Sequence, residues 1–265
     1  MKTETVIYTK TSLIERLIEI SQQGWILCGR PGNVGGIGNT LEDLLGIKEN
    51  NLPIPNAAEW ELKTQRLNTT SLTTLFHLEP SPRAINFVPQ ILLPNYGWLH
   101  KESGKKYKNG EMSFRQTINS VNRSDRGFKI TVNKKEKKIE VSFEAAAVDS
   151  RHQSWLRQVE KKIGLRELDP QPYWGFADLE HKAGTKLPNT FYVQAEVKRE
   201  KDLLYYRYTK IKMLRGFSFE GFLKALERSQ ILVDFDSRTG HNHGTKFRLR
   251  QNAFPLLFSE VEDIL

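Results

Sequence analysis

Hydrophobic residues recur along this chain at two spacings, one typical of helices and the other typical of strands. The helical spacing first appears over residues 12–23, where Ser12 and Glu15 also match a capping box. The same spacing predicts three further helices, over residues 151–163, 219–229 and 253–264. Alternating apolar and polar residues predict strands over residues 57–66, 71–78, 128–132, 139–143, 191–198, 205–211 and 231–235. These elements mix without strict βαβ alternation, which predicts a mixed α/β (α+β) fold.

A glycine-rich segment, GRPGNVGGIG at residues 29–38, follows the first predicted helix. It lacks the G-x-x-x-x-G-K-[ST] order of a phosphate loop and follows no clear strand, which argues against a nucleotide site. We expect its glycines to let backbone N–H groups approach nucleic-acid phosphates, with Arg30 as a charged contact beside them. The next residues, TLEDLL, predict a short helix that Asn39 caps and Gly46 closes.

Linker composition and charge indicate the number of domains and the kind of partner. No linker among the 265 residues is long or polar enough to separate independent domains, so we expect one domain over residues 1–265. The net charge of +9 favours a polyanionic partner, nucleic acid above all. The longest charge run, residues 134–138, lies between two predicted strands and is interpreted as a solvated hairpin turn.

Cysteine content and hydropathy predict the compartment. The single cysteine, Cys28, excludes an internal disulfide framework and fits a reducing cytoplasm. No apolar run approaches the ~18–20 residues of a membrane span, and the N-terminal residues lack the apolar stretch of a signal peptide. We therefore expect a cytoplasmic protein with no membrane partner.

The segment NAAEWELK, residues 56–63, holds the strongest candidate chemistry. Alternate residues of a strand face the same way, so one face would carry Glu59, Glu61 and Lys63 and the other Ala58, Trp60 and Leu62. Carboxylates are preferred ligands of Mg²⁺, and a neighbouring lysine stabilises the charge that builds up in phosphodiester hydrolysis. By itself the Glu-x-Lys pattern also fits a solvated strand face, and the residues leave both interpretations open. The pattern recurs at Glu196-Val197-Lys198, which is interpreted as an exposed strand end.

Several motifs surround this strand in a fixed order. They are G-N-x-G-G-I-G-N-T-L-E-D-L-L-G-I from residue 32, E-N-N from 49, E-L-K-T from 61, L-T-T-L-F-H-L-E-P from 72 and G-H-N-H-G-T-K-F-R from 240. This combination resembles the MvaI/BcnI restriction endonucleases, which are related to the mismatch-repair nicking enzyme MutH. The resemblance covers both ends of the chain, whereas residues 100–200 match only in outline.

The resemblance implies a fold, a cofactor and catalytic residues. It implies a restriction-endonuclease-like mixed sheet flanked by helices, with a catalytic lobe that includes residues 30–80 and a recognition lobe that includes residues 230–250, around a DNA cleft. It implies Mg²⁺ as the cofactor, with Glu61 as a metal ligand, Lys63 as the catalytic lysine and Glu42 in a supporting position.

Asn56 departs from the family pattern, which has an aspartate ligand five residues before the glutamate of Glu-x-Lys. An amide oxygen can ligate a cation but brings no charge, so the site should hold Mg²⁺ more weakly. Three hypotheses remain open: Asn56 ligates natively and Glu59 supplies the missing charge; this copy is inactive; or the aspartate was replaced deliberately to trap a complex.

The C-terminal motif and the glycine-rich segment supply candidates for DNA contacts. The resemblance implies that His241, His243 and Arg248 recognise bases, and Asp234 matches a polar position used for the same purpose. Further candidate contacts are Arg30, Asn33, His77, Arg238 and Lys246. His77 matches a histidine of the BcnI branch, and a locally hydrogen-bonded strand-end histidine is the alternative. For His241-Asn242-His243, the alternatives are a structural loop and a zinc site, although zinc needs about four ligands and none lies nearby.

We therefore expect a type II restriction endonuclease that cuts a short GC-rich site such as CCWGG or CCSGG with Mg²⁺ and leaves a 5′-phosphate. Its expected partner is double-stranded DNA, its expected state is a monomer, and a cognate DNA methyltransferase is expected as a genetic partner. The alternatives are a MutH-like nicking enzyme of DNA repair and a DNA-binding protein that Asn56 has made inactive.

Overall fold

The computed structural model describes residues 8–30, 36–47 and 60–265. Over these residues it contains the α-helices α1 (Lys10–Gln22), α2 (Gly36–Leu45), α3 (Leu93–Tyr96), α4 (Gln153–Ile163), α5 (Phe176–Lys186) and α6 (Phe219–Glu227). Its strands are β1 (Ile26–Leu27), β2 (Glu61–Arg66), β3 (Thr73–His77), β4 (Trp98–Leu99), β5 (Met112–Ile118), β6 (Arg126–Asn133), β7 (Lys138–Val148), β8 (Tyr173–Gly175), β9 (Asn189–Glu200), β10 (Leu203–Phe217), β11 (Ile231–Arg238), β12 (His241–Asn242), β13 (Lys246–Leu249) and β14 (Phe258–Asp263). The mixed α+β fold class is confirmed. None of the helices in these ranges is long and apolar enough to cross a membrane.

The chain folds into two compact units, and each is built from more than one segment. The first unit comprises Met1–Thr73, Ala183–Gly221 and Arg250–Leu265. The second unit comprises Thr74–Lys182 and Phe222–Leu249. The predicted catalytic segment therefore falls mainly in the first unit and the predicted recognition segment in the second.

The first unit is organised around a five-stranded mixed sheet. Its strands follow the order β1-β10-β9-β2, and β14 also pairs with β10. β2 and β9 run parallel, whereas the other pairs are antiparallel. The residues that α1 and α2 bury against one face of this sheet are Leu13, Leu17, Ile20, Ile37, Leu41 and Leu45. The apolar face predicted for the first helix is thus its buried face.

Helix α1 begins earlier than the sequence pattern predicts. Thr9 is the N-cap, and its side chain and that of Ser12 bond each other's backbone N–H groups in a capping box. The predicted box of Ser12 with Glu15 was wrong because both residues lie inside the helix. A threonine with a serine three residues later satisfies the same two orphan N–H groups as the expected serine and glutamate.

Helix α2 also begins earlier than predicted, so Asn39 lies inside it rather than at its N-cap. Its first residues pack closely against the sheet. A Cβ at Gly36 would lie 2.8 Å from the Tyr206 hydroxyl, and one at Gly38 would lie 3.1 Å from Oγ1 of Thr64 on β2. Helix–strand packing therefore explains these two glycines, and the phosphate-binding role expected for the glycine-rich segment is not needed to explain them.

The predicted helix over residues 253–264 was wrong. A short 3-10 turn, Phe254–Leu257, leads instead into β14, which pairs antiparallel with β10. The edge of β10 offers unpaired backbone groups, and its basic residues match the acidic residues of β14. Arg215 lies 2.8 Å from Glu260, and Lys212 is ion-paired with Asp263. These long-range pairings outweigh the local helical spacing.

The second unit contains a six-stranded sheet and a three-stranded sheet. The larger sheet has the order β3-β13-β11-β5-β4, with β12 also paired to β11, and the smaller has the order β6-β7-β8. Aromatic side chains fill its core, among them Phe76, Phe114, Phe128, Phe235 and Phe247. The sequence pattern did not predict β5, β13 or α5.

Candidate functional site

Strand β2 places apolar and charged residues on opposite faces. Trp60, just before the strand, and Leu62 are buried in the core that α1 and α2 cover, and the Trp60 ring lies 4.6 Å from that of Phe191. Glu61 and Lys63 lie on the other face, where Nζ of Lys63 donates to Oε1 of Glu61 at 2.6 Å. The alternation is the one that the sequence predicts for these four residues.

The Glu61 carboxylate is buried and only half satisfied. Glu61 is 3% exposed, and Lys63 is 16% exposed. Oε1 has the lysine as its partner, whereas Oε2 has no hydrogen-bond partner among the described residues. A buried polar atom without a partner is rare because its desolvation is not compensated. A carboxylate oxygen is the ligand type that Mg²⁺ prefers, so this unsatisfied atom fits a divalent cation.

A buried polar network lies next to the Glu61–Lys63 pair. It joins Gln65 on β2 to Tyr192 and Gln194 on β9. In the parallel register Lys63 lies opposite Tyr192, and Gln65 opposite Gln194. The Tyr192 hydroxyl donates to Oε1 of Gln65 and accepts from Nε2 of Gln194 at 3.2 Å. Burial raises the pKa of Tyr192 to about 12, although hydrogen bonds with the Asn252 backbone and Gln194 act in the opposite direction. Tyr192 is therefore uncharged at neutral pH and adds no charge next to the Glu61–Lys63 ion pair.

This network was not predicted from the sequence. Its signal was present, because Tyr192 and Gln194 alternate along a predicted strand. Strand pairing with β2 could not be predicted from that alternation alone.

The other candidate ligands are only partly described. Glu42 is half-buried on α2, in the same unit as Glu61. Asn33, Asn56 and Glu59 lie outside the described residues. Within the described ranges, no group of three or more histidine, cysteine, aspartate or glutamate side chains is arranged to hold a metal.

Arg30 is engaged by an acidic partner on α2. Its Nε and Nη2 atoms lie 3.2 and 2.7 Å from the two carboxylate oxygens of Asp43. This two-pronged contact is the strong form of an arginine–carboxylate pair. A phosphate contact by Arg30 would have to share or replace Asp43, and that contact stays a prediction.

The second Glu-x-Lys sequence, on β9, differs from the first in its surroundings. Glu196 is 38% exposed, and its Oε2 accepts from Nε of Arg207 at 2.9 Å. Lys198 lies over the rings of Trp25 and Tyr205, 5.0 and 5.2 Å from their centroids. This carboxylate is exposed and paired with an arginine, which agrees with its interpretation as a surface feature.

In the second unit, β11 directs its acidic residues to one face of the six-stranded sheet, and Phe235 between them is buried on the other. Oδ1 of Asp234 accepts from the Thr117 hydroxyl at 3.0 Å. Its Oδ2 lies 3.2 Å from Nη1 of Arg248 on β13. Two of the predicted DNA-contact residues are thus paired with each other.

Asp236 repeats this arrangement two residues further along β11. Oδ1 lies 2.7 Å from Nε of Arg115 on β5, and Oδ2 lies 3.2 Å from Nζ of Lys246 on β13. Asp236 and Arg115 were not singled out from the sequence. We call the surface formed by Arg115, Asp234, Asp236, Lys246 and Arg248 the charged face. It presents acceptors and donors side by side across three strands.

Arg238 continues the same face of β11 but is bound on two sides. Its Nη1 lies 2.9 Å from Oε1 of the buried Glu111, and its guanidinium lies 4.6 Å from the centre of the Tyr107 ring. These contacts connect the end of β11 to the segment before β5. The role predicted for Arg238 in DNA contact remains a prediction.

The histidine loop, residues 241–245, carries two exposed histidines whose ring centres lie 4.2 Å apart. Glu79 anchors the loop: its Oε1 accepts from the backbone N–H of Thr245 at 2.8 Å and its Oε2 from the Thr245 hydroxyl at 3.1 Å. A Cβ at Gly244 would lie 3.4 Å from the ring of His77, so the structure brings His77 to this loop. The described residues offer His241 and His243 no set of further metal ligands, which disfavours zinc.

Comparisons with known proteins agree with the fold. The model of the MvaI/BcnI restriction endonuclease family matches residues 14–258. A solved structure described as a complex of restriction endonuclease MvaI with cognate DNA substrate is similar, with a TM-score of 0.76, 24% identity and coverage of 97% of this chain and 100% of that chain. MvaI in the absence of DNA matches with a TM-score of 0.53, 23% identity and coverage of 99% and 100%. No curated protein matches the chain.

Proposed function

This chain belongs to the MvaI/BcnI restriction endonuclease family, and from that premise we propose that it hydrolyses both strands of duplex DNA at a short GC-rich site with Mg²⁺. The observation that carries the proposal is the buried Glu61 carboxylate, which has Lys63 on one oxygen and no described partner on the other. CCWGG-like and CCSGG-like sequences are the proposed sites, and the enzyme is proposed to act as a monomer. The expected products carry 5′-phosphates.

Glu61 is proposed to hold the cation through Oε2, together with Asn56 and, for charge, Glu59, while Glu42 supports this set from α2. When bound, Mg²⁺ supplies Lewis-acid polarisation of the phosphate and acidifies water. Asn56 and Glu59 enter from the family resemblance and the strand pattern, since they lie outside the described residues.

Lys63 is proposed to orient the attacking water and to neutralise the charge that develops on the phosphate oxygens. The ion pair with Glu61 fixes the direction of its ammonium group, and two N–H donors remain for water and phosphate. Fixed donors of this kind stabilise a transition state because they need not reorganise during the reaction. The neutral Tyr192–Gln65–Gln194 network adds no competing charge beside the lysine.

The charged face is the proposed surface for base recognition. Carboxylates accept from the N4 amino group of cytosine, whereas arginine and lysine donate to O6 and N7 of guanine. Asp234 beside Arg248, and Asp236 beside Lys246, therefore present the complement of a C·G pair. These ion pairs hold the side chains in place before DNA arrives. A charged face built this way supports a GC-rich recognition site.

Other contacts are proposed at the two glycine-containing segments. His241, His243 and His77 are proposed to contact bases from the histidine loop and its neighbour β3. Arg30 and Asn33 are proposed to contact the backbone phosphates of DNA.

Digestion of a plasmid of known sequence with Mg²⁺, followed by sequencing of the ends, tests the proposal. We expect fixed double-strand cuts with 5′-phosphates, which disappear in Glu61→Gln. Glu196→Gln is the matched control, because it makes the same change in the exposed Glu-x-Lys sequence and should leave the cuts unchanged. Random nicking, or cutting that survives Glu61→Gln, would overturn the proposal.

The asparagine at position 56 favours a second candidate function, in which the protein binds duplex DNA at a specific site without cutting it. An amide in place of a carboxylate weakens a Mg²⁺ site by removing one negative charge. Sequence-specific binding with no cleavage, in the presence of excess Mg²⁺, would support this candidate over the nuclease.

A further inference from the structure

The segment between β4 and β5 carries an exposed group of lysines. Lys101, Lys105, Lys106 and Lys108 are all exposed. The only acidic residue within residues 101–108 is Glu102. We call residues 101–108 the lysine loop. No ion pair joins its four lysines to an acidic side chain of the described residues, whereas most other basic groups named above have such a partner.

The lysine loop is a defined structure. The Glu102 carbonyl accepts from the backbone N–H groups of Lys105, Lys106 and Tyr107 at 3.1 to 3.2 Å. The Ser103 hydroxyl donates to the Lys108 carbonyl at 3.2 Å. The Tyr107 ring packs edge-on against His100, with ring centres 4.7 Å apart. The lysines therefore extend from a backbone that is already ordered, so binding would order only their side chains.

The lysine loop contacts Arg238, which lies next to the charged face on β11. The Tyr107 ring lies under the Arg238 guanidinium, and Glu111, at the end of the segment, pairs with the same arginine. Arg238 is two residues from Asp236 and four from Asp234 on one face of β11, which corresponds to about 7 and 14 Å along a strand. The major groove is ~12 Å wide, so the phosphates that border it come within reach of a loop at this distance.

We propose that the lysine loop is a phosphate-binding site for the DNA backbone next to the bases that the charged face contacts. This inference rests on the proposed function, since it needs duplex DNA on the charged face. The loop contributes affinity and register and carries no base specificity, because lysine–phosphate contacts do not distinguish sequences. Tyr107 and Arg238 are positioning residues that fix the loop relative to Asp236.

The chain offers a matched control in a second lysine-rich segment. Residues 134–138 also contain four lysines and one glutamate. Here two of the lysines are already paired: Lys134 lies 2.7 Å from Glu227 and Lys138 lies 2.9 Å from Glu140. Both segments lie in the second unit. Each variant replaces four lysines, so both lower the net charge by the same amount.

The experiment measures the dissociation constant of a fixed 30-base-pair duplex, without divalent metal, over a range of salt concentrations. The loop variant is Lys101→Gln/Lys105→Gln/Lys106→Gln/Lys108→Gln, and the control is Lys134→Gln/Lys135→Gln/Lys137→Gln/Lys138→Gln. Each phosphate contact contributes about 0.9 to the slope of log affinity against log salt. We expect the loop variant to lose about 2 to 4 from this slope and at least about tenfold in affinity at low salt. The control should keep the wild-type slope.

Equal slope losses in both variants would show a general charge effect and overturn the inference, as would an unchanged slope in the loop variant. Either result concerns the loop alone, so the proposed function stands as long as wild-type protein binds the duplex. Wild-type protein that binds no duplex at low salt would overturn the proposed function itself. The double variant Lys105→Gln/Lys106→Gln changes only two lysines. We expect it to lose about half as much of the salt-dependence slope as the quadruple variant.

Discussion

Lys63 and Glu61 form a close ion pair on one face of β2, with Nζ 2.6 Å from Oε1, while Oε2 of the same buried carboxylate has no partner in the described part of the chain. The pair arises from strand geometry, since residues two apart face the same way. Trp60 and Leu62 are buried in the core that α1 and α2 cover. Because they occupy that face of the strand, Glu61 and Lys63 must lie on the opposite face.

Lys63→Ala should abolish detectable cleavage while DNA binding is largely retained. The ammonium group acts on charge that develops only in the transition state, and loss of one such donor lowers rates by about 10²–10³-fold or more. Single-turnover cleavage and a gel-shift assay on the same duplex measure the two effects. Lys198→Ala, in the second Glu-x-Lys sequence, is the control and should cut at the wild-type rate. Unchanged cutting by Lys63→Ala would remove Lys63 from the mechanism.

Asn56→Asp should raise Mg²⁺-dependent cleavage by roughly tenfold or more, because a second carboxylate strengthens a hard-cation site. The measurement is the cleavage rate as a function of Mg²⁺ concentration for both forms. The half-saturating Mg²⁺ concentration should fall in the aspartate form. Equal activity and equal Mg²⁺ dependence would mean that Asn56 is already a competent ligand or that the metal lies elsewhere.

Local patterns predicted much of the first unit. The alternation at residues 60–63 follows from a two-residue period, and the structure shows the same two faces. The buried face of α1 follows in the same way from a helical period. Such features depend on neighbours in sequence, which is why one sequence suffices to find them.

Features that depend on distant partners could not be predicted in this way. β14 is a strand because β10 pairs with it, and no local signal distinguishes that from the amphipathic helix we expected. Asp236 is a candidate because it pairs with Arg115 and Lys246, which lie on two strands far apart in sequence. Glu79 is a similar case, because its partner Thr245 is 166 residues away.

Glu79→Ala should destabilise the histidine loop and weaken discrimination between DNA sequences. The variant leaves the N–H and hydroxyl of the fully buried Thr245 without their acceptors. Loss of such partners lowers the free energy of unfolding by about 1–3 kcal/mol per site. Thermal unfolding and the ratio of specific to non-specific affinity measure the two effects. A changed melting temperature with an unchanged affinity ratio would separate the loop from base recognition.

Asp125 should make stability depend on pH in the acid range. Partial burial acts to raise its pKa, but the hydrogen bond with His152 and the charges of Arg126, His152 and Arg151 lower the pKa below its usual value. A lowered pKa in the folded state adds stability above the unfolded value of ~3.9 and loses it as pH falls through the folded value. Asp125→Asn should therefore melt at a lower temperature than wild type at pH 7, and the difference should shrink below about pH 4. A constant difference from pH 7 to pH 3 would contradict this.

Asp234→Asn should relax sequence preference at one base pair while binding to unrelated DNA is preserved. Asp234 holds Thr117 and Arg248, and an asparagine keeps the shape of the side chain but replaces one acceptor oxygen with a donor. An amide prefers adenine, whereas a carboxylate accepts from cytosine, and a good base contact distinguishes bases by about 1–3 kcal/mol. Cleavage of a panel of duplexes, each with one base pair of the wild-type site replaced, measures the preference. Asp178→Asn is the control, since Asp178 lies in the same unit and its exposed carboxylate pairs with Arg83, which is not part of the charged face. Preference lost at every position at once, or equally in both variants, would indicate general weakening and contradict a direct base contact by Asp234.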